Sequence, residues 1–165
     1  MKKSVVILLM LFAFSFLSSS YAQESPNGKK FGFGIIVGDP TGLSLKVWTR
    51  NTNAFAFSLG NSYFGKLRIG GDYLWHFNAF DSHIANLYAG PGGVIGIGEG
   101  NGFYYKDKYK RAGNDLGLGI RGVFGVNILP ERTPLEIFFE IGVLVALTPD
   151  FGSSVDVAIG MRFYP

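Results

Sequence analysis

The sequence contains no cysteine, which excludes disulfides, thiolate metal sites and a lipid-modified N-terminal cysteine. It has only two histidines, too few for a strong histidine-rich metal centre, and no metal or other cofactor is expected. Beyond residue 22 no apolar run reaches the ~18 residues that mark a membrane-spanning helix. Charge of one sign is also lacking. Without Lys2 and Lys3, 13 basic side chains face 12 acidic ones, so nothing suggests a nucleic-acid partner. No long stretch carries helical period and no linker divides the chain. The first residues, MKKSVVILLMLFAFSFLSSSYAQ, stand apart. Lys2 and Lys3 precede an apolar run from Val5 to Leu17, and Ser20 and Ala22 place small residues where a signal peptidase cuts. The run is too short for a membrane anchor, so residues 1–22 are expected to be a cleaved signal peptide and residues 23–165 one exported domain.

What the sequence has in abundance is glycine (24), phenylalanine (16) and tyrosine (8), arranged with period two. In a first strand, about 31–38, Phe31, Phe33, Ile35 and Val37 share one face, against Gly32, Gly34, Ile36 and Gly38. The next sets Leu43, Leu45 and Val47 against Ser44, Lys46 and Trp48. A third sets Phe55, Phe57 and Leu59 against Ala54, Ala56 and Ser58. A fourth sets Leu67, Ile69, Tyr73, Trp75 and Phe77 against Arg68, Gly70, Asp72 and His76. A glycine-rich fifth covers about 87–97. A sixth sets Leu118, Ile120 and Phe124 against Gly117, Gly119 and Arg121. A seventh sets Ile137, Phe139, Ile141 and Val143 against Glu136, Phe138, Glu140 and Gly142. The last sets Val155, Val157, Ile159, Met161 and Phe163 against Asp156, Ala158, Gly160 and Arg162. The predicted fold class is all-β, an eight-stranded antiparallel up-and-down transmembrane β-barrel.

Three features support a membrane barrel over a soluble one. One face is large and apolar on nearly every strand, whereas the other carries glycine, alanine, serine and a few charges. Small residues suit the crowded lumen of a small closed barrel. The strands are long enough to cross a bilayer, and an even number returns both termini to the periplasmic side. With the first strand running outward, Phe31, Phe33, Phe55, Phe57 and Phe139 fall at the periplasmic ends of odd strands. Tyr73, Trp75, Phe77, Phe124 and Phe163 fall at the same ends of even ones. Together they form an aromatic girdle at one interface. The segment Asp39-Pro40-Thr41-Gly42 reads as a type I turn rather than a phosphate loop, because a strand and not a helix follows it. Pro91 cannot donate to a closed ladder and is expected at a bulge.

The signal-like N-terminus, the eight alternating segments and the last strand VDVAIGMRFY resemble small eight-stranded outer-membrane barrels of the OmpA and OmpX type. The segments GDPTGLSLKVW and PLEIFFEIGV also resemble a family of small bacterial outer-membrane barrels with no assigned function. The resemblance implies a Gram-negative outer membrane, and assembly by the insertion machinery that reads a C-terminal strand ending in an aromatic residue. Here Pro165 follows Tyr164, a departure from that pattern.

Asp81, Ser82 and His83 invite a triad reading, but three consecutive residues do not converge on one another and the segment reads as a periplasmic turn; no catalytic residue is assigned. His76 is expected as an inward polar group near the periplasmic end. The inward charges are the stronger signal. Lys46, Arg68, Arg121 and Arg162 match Asp72, Glu136, Glu140 and Asp156, four against four, as a closed lumen requires. Residues 99–115 form one long connection, expected outside the cell. Its Phe103, Tyr104, Tyr105, Lys106, Lys108, Tyr109, Lys110 and Arg111 suit either lipopolysaccharide phosphates, an unknown extracellular ligand or the membrane interface. The expected role is structural or interactive, in a monomer whose partners are outer-membrane lipids and lipopolysaccharide. A narrow or gated pore and a lipid-modifying enzyme are the alternatives.

Overall fold

The computed structural model describes residues 28–78, 82, 84–98, 116–130, 133–149 and 151–165. The proposed signal peptide at 1–22 lies outside them. So do Asp81, His83 and the whole 99–115 connection, including Phe103, Tyr104, Tyr105, Lys106, Lys108, Tyr109, Lys110 and Arg111.

Eight strands follow one another: β1 Phe31–Gly38, β2 Thr41–Trp48, β3 Asn53–Ser62, β4 Gly65–Phe77, β5 Ala85–Ile97, β6 Gly117–Ile128, β7 Leu135–Thr148 and β8 Gly152–Phe163. Each pairs antiparallel with its neighbour in sequence, and β1 pairs with β8 to close the barrel. Among the described residues no helix is long and apolar enough to cross a membrane. One end of the barrel holds the start of β1 and the end of β8. We refer to it as the terminal end, and to the opposite end, where β5 leaves and β6 returns, as the loop end.

The period-two pattern is the reason for the closure. An alternating strand must bury one face, and in a closed sheet the inside is available to every strand at once. Here the large apolar face is the outer one. Phe33, Ile35, Leu43, Phe57, Ile120, Ile141 and Ile159 are all exposed, whereas Lys46, Arg68, Glu136, Asp156 and Arg162 are buried. The aromatic side chains gather at the terminal end, with ring contacts running from Phe31 to Phe33 to Phe163 and from Phe57 through Phe55 and Tyr73 to Trp75.

Two local expectations are corrected. The β1–β2 turn is not type I over 39–42. It spans only Asp39 and Pro40 between the strands, the Asp39–Pro40 peptide is cis, and Gly38 takes the positive φ of 124°. Thr41 closes it, donating from Oγ1 to the Gly38 carbonyl at 2.8 Å and accepting from the Gly38 N–H at 3.1 Å. Pro91 makes no bulge. Its pairing with β6 is continuous, and the β4–β5 register is the same on both sides of it, with a gap only between Asp72↔Gly92 and Trp75↔Ala89. Pro91 faces outward, and beside it the β4 backbone approaches Gly90 so closely that a Cβ there would collide with the Tyr73 carbonyl. The register shifts lie elsewhere, between Gly60 and Ser62 and between Leu118 and Gly119.

Candidate functional site

The lumen is where this sequence concentrates its chemistry. All eight inward charges are buried there, in two groups separated along the barrel axis. Burying so many charges is tolerable only where each finds a partner.

The group near the terminal end is built on Glu136 of β7. Its Oε1 accepts from Lys46 Nζ at 2.6 Å and from Asn127 Nδ2 at 3.0 Å, and Arg162 Nη1 stands 3.4 Å away. Its Oε2 accepts from the Tyr164 hydroxyl at 2.5 Å, and that hydroxyl accepts from Trp48 Nε1 at 3.1 Å. Lys46 Nζ also lies 2.9 Å from His76 Nε2, while His76 Nδ1 is 3.2 Å from the Thr52 carbonyl. The arrangement fits a neutral imidazole that donates to the carbonyl from Nδ1 and accepts from the ammonium at Nε2. Arg162 donates from Nε to Ser44 at 2.9 Å and stacks over the Phe138 ring at 3.7 Å.

The group near the loop end is built on Arg121 of β6. Its three nitrogens reach three carboxylates: Asp72 at 2.6 Å, Glu140 at 2.7 Å and Asp156 at 3.1 Å. Asp156 also takes Arg68 Nη2 at 2.7 Å, and Arg68 Nη1 reaches outward to Asp39 at 3.3 Å and Ser62 at 3.4 Å. Asp39 sits in the β1–β2 turn, where burial holds its carboxyl above the usual carboxylate range against the pull of Ser62 and Arg68.

Between the two groups lies an apolar layer of Ile36, Ala56, Leu74, Tyr88, Val123, Phe138 and Ala158. Chain order fixes its position. Leu74 stands between Asp72 and His76 on β4, Val123 between Arg121 and Asn127 on β6, Phe138 between Glu136 and Glu140 on β7, and Ala158 between Asp156 and Arg162 on β8. Tyr88 belongs to this layer and donates its hydroxyl to Glu140 Oε2 at 3.1 Å. A second apolar cluster of Trp48, Ala54, Leu129 and Tyr164 closes the terminal end, and a third of Phe64, Val94, Leu144 and Ala146 closes the loop end. The lumen is thus filled in alternating apolar and charged layers.

Glycines make room for the large groups. A Cβ at Gly32 would lie 2.6 Å from the Tyr164 ring, one at Gly125 2.5 Å from the Tyr88 hydroxyl, and one at Gly160 would collide with the Phe138 ring. The loop-end charges use the same device: a Cβ at Gly92 would collide with Asp72 Oδ1 and one at Gly142 with Asp156 Oδ1. Lys46, Arg68, Asp72, Arg121, Glu136, Glu140, Asp156 and Arg162 all come together in the lumen. Sequence reasoning named those eight and His76 and set Trp48 on the same face as Lys46, but missed Tyr88, Asn127 and Tyr164 as their partners. Tyr88 and Asn127 sit at the inward parity of their strands, and Tyr164 continues that of β8. Among the described residues no group of three His, Asp or Glu side chains is placed to hold a metal ion.

Fold and lumen together define a class: a closed eight-stranded antiparallel barrel with an apolar outer wall and a lumen packed with layered side chains. Comparison with protein-family models, with curated proteins and with solved structures finds no match to this chain.

Proposed function

We propose that this protein is a sealed outer-membrane β-barrel, exported by the signal peptide at residues 1–22, with a structural or surface-interaction role. In this reading the terminal end faces the periplasm and residues 99–115 are presented outside the cell. The single observation that carries it is the inversion of the barrel. Large apolar side chains cover the outside, while the charges are turned inward and paired. Water is the wrong solvent for such an outer wall, since exposed apolar patches on soluble monomers rarely exceed a few hundred Å². A bilayer is the right one, because closure leaves no unpaired sheet edge facing lipid. The two runs of aromatic contacts at the terminal end fit the interfacial girdle of membrane barrels.

The apolar layer around Phe138 and Tyr88 favours a sealed lumen over a pore. Ions would have to cross a ring with no continuous polar lining, which opposes wetting. The test of the membrane assignment is electrophoretic. Folded protein extracted from outer membranes is expected to keep its barrel in SDS at room temperature and to change mobility on boiling. A soluble periplasmic protein that SDS unfolds without heating would overturn the proposal.

A further inference from the structure

The outer wall is not equally tall all round. β1 and β2 have 8 residues each and β3 has 10, whereas β4, β5 and β7 have 13, 13 and 14. The outward apolar run on β1 extends only from Phe31 to Val37, and that on β2 only from Val47 to Leu43. On β7 it extends from Leu135 to Leu147. Two residues advance about 6.6 Å along a strand, or about 5 Å along the axis at the usual tilt of about 45°. The apolar wall is therefore about 14 Å high on β1 and about 28 Å high on β7, where membrane barrels present about 25 Å.

The deficit lies wholly at the loop end. At the terminal end the rings of Phe31, Phe33 and Phe163 are in contact across the β1–β8 seam, so the lower edge of the belt continues across the short wall. Above the short wall the outward surface turns polar at once. Thr41 of β2 and Asn61 of β3 are directly paired and both exposed. Beyond them is the β1–β2 turn with Asp39. On the tall wall Val143, four outward positions above Leu135, is still apolar and exposed.

We infer that this barrel thins the lipid bilayer locally along its β1–β3 wall, on the side of the loop end. The inference rests on the membrane reading above and names the surface that reading leaves unspecified: a lipid leaflet drawn down to meet Thr41 and Asn61. A bilayer of uniform thickness would bury that pair and the turn beside it in hydrocarbon. A wall shorter than the hydrocarbon is met by thinning of the bilayer, by snorkelling of flanking side chains or by oligomerisation, and a wall short on one side only can also tilt the barrel, which alone changes what happens at the terminal end.

The absence of cysteine makes single labels straightforward. Thr41→Cys, Asn61→Cys, Val143→Cys, Arg50→Cys and Thr133→Cys would each carry an environment-sensitive fluorophore. The folded proteins would be reconstituted in dioleoylphosphatidylcholine vesicles containing lipids brominated along the acyl chain. Labels at 41 and 61 are expected to be quenched severalfold less than the label at 143, while those at 50 and 133, on opposite sides of the terminal end, are quenched alike. Quenching at 41 and 61 equal to that at 143 would show uniform thickness and overturn the inference. Unequal quenching at 50 and 133 would show that the barrel tilts instead, and would also overturn it. Protein that fails to sediment with the vesicles, with no label quenched, would sink the membrane reading itself and this inference with it.

Discussion

Replacing Gly142 by alanine adds one methyl group inside the loop-end charge layer. The new Cβ would collide with Asp156 Oδ1 and lie 2.6 Å from Arg121 Nε and 3.0 Å from Arg121 Nη2. Asp156 cannot simply withdraw, because its other oxygen is held by Arg68 at 2.7 Å and by Arg121 at 3.1 Å. All three side chains are buried, so water cannot replace the lost partner. Separating a buried pair costs about 3–5 kcal/mol. Alanine in place of glycine within a strand returns about 0.5–1 kcal/mol of chain entropy, so the expected net loss is about 2–4 kcal/mol. Gly122 on the adjoining strand supplies the control. It faces outward and a Cβ there meets nothing within 4 Å, so Gly122→Ala should gain the entropy term alone. Urea unfolding in phospholipid vesicles, followed through Trp48 and Trp75, measures both variants on one scale. If Gly142→Ala proves as stable as Gly122→Ala, the Arg121–Asp156 junction is not a packed, low-dielectric contact and the argument fails.

Two further outcomes follow from the lumen and the chain. Wild-type protein in a planar bilayer should pass no steady current, whereas the double variant Leu74→Ala, Phe138→Ala should show discrete openings, since it removes the bulk of the apolar layer between the charged groups. A current in the wild type, abolished by substituting the charges, would replace the sealed barrel with a pore. Protease added to intact cells should cut first between Lys106 and Arg111, the charged stretch of the long connection. Labelling of Asn51 from outside the cell, with that stretch untouched, would invert the orientation.

The strands were legible because alternation is local. Phe31 to Val37, or Glu136 against Ile137, declare their faces without reference to any other strand, and the eight inward charges follow from the same parity. The faces of the residues at strand ends were harder to read. β6 continues to Ile128 and carries Asn127, next to last in the strand, into the lumen beside Glu136. Tyr164 lies just past β8, yet stays in phase with Arg162 and fills the terminal end. Which charge meets which was not legible at all. Arg121 gathers carboxylates from β4, β7 and β8, and that choice depends on the shear of the closed sheet rather than on any single segment. The turn at Asp39 was misread because a type I template places proline second, whereas the chain puts Pro40 third between Gly38 and Thr41, after a cis bond.

The seam between β1 and β8 has a consequence for the order of assembly. It joins the two ends of the chain: Phe33 pairs with Phe163, and Lys29 Nζ donates to the Tyr164 carbonyl at 3.4 Å, 135 residues away. Such a contact closes the largest loop in the molecule and is entropically the most demanding to form early. The final strand carries one acid and one base to the lumen, Asp156 and Arg162. The strands before it carry three bases, Lys46, Arg68 and Arg121, and three acids, Asp72, Glu136 and Glu140. An open seven-stranded sheet is therefore already neutral on its inner face, and docking of β8 leaves that neutrality unchanged. The last step of closure moves a balanced pair of opposite charges out of water, never a net charge.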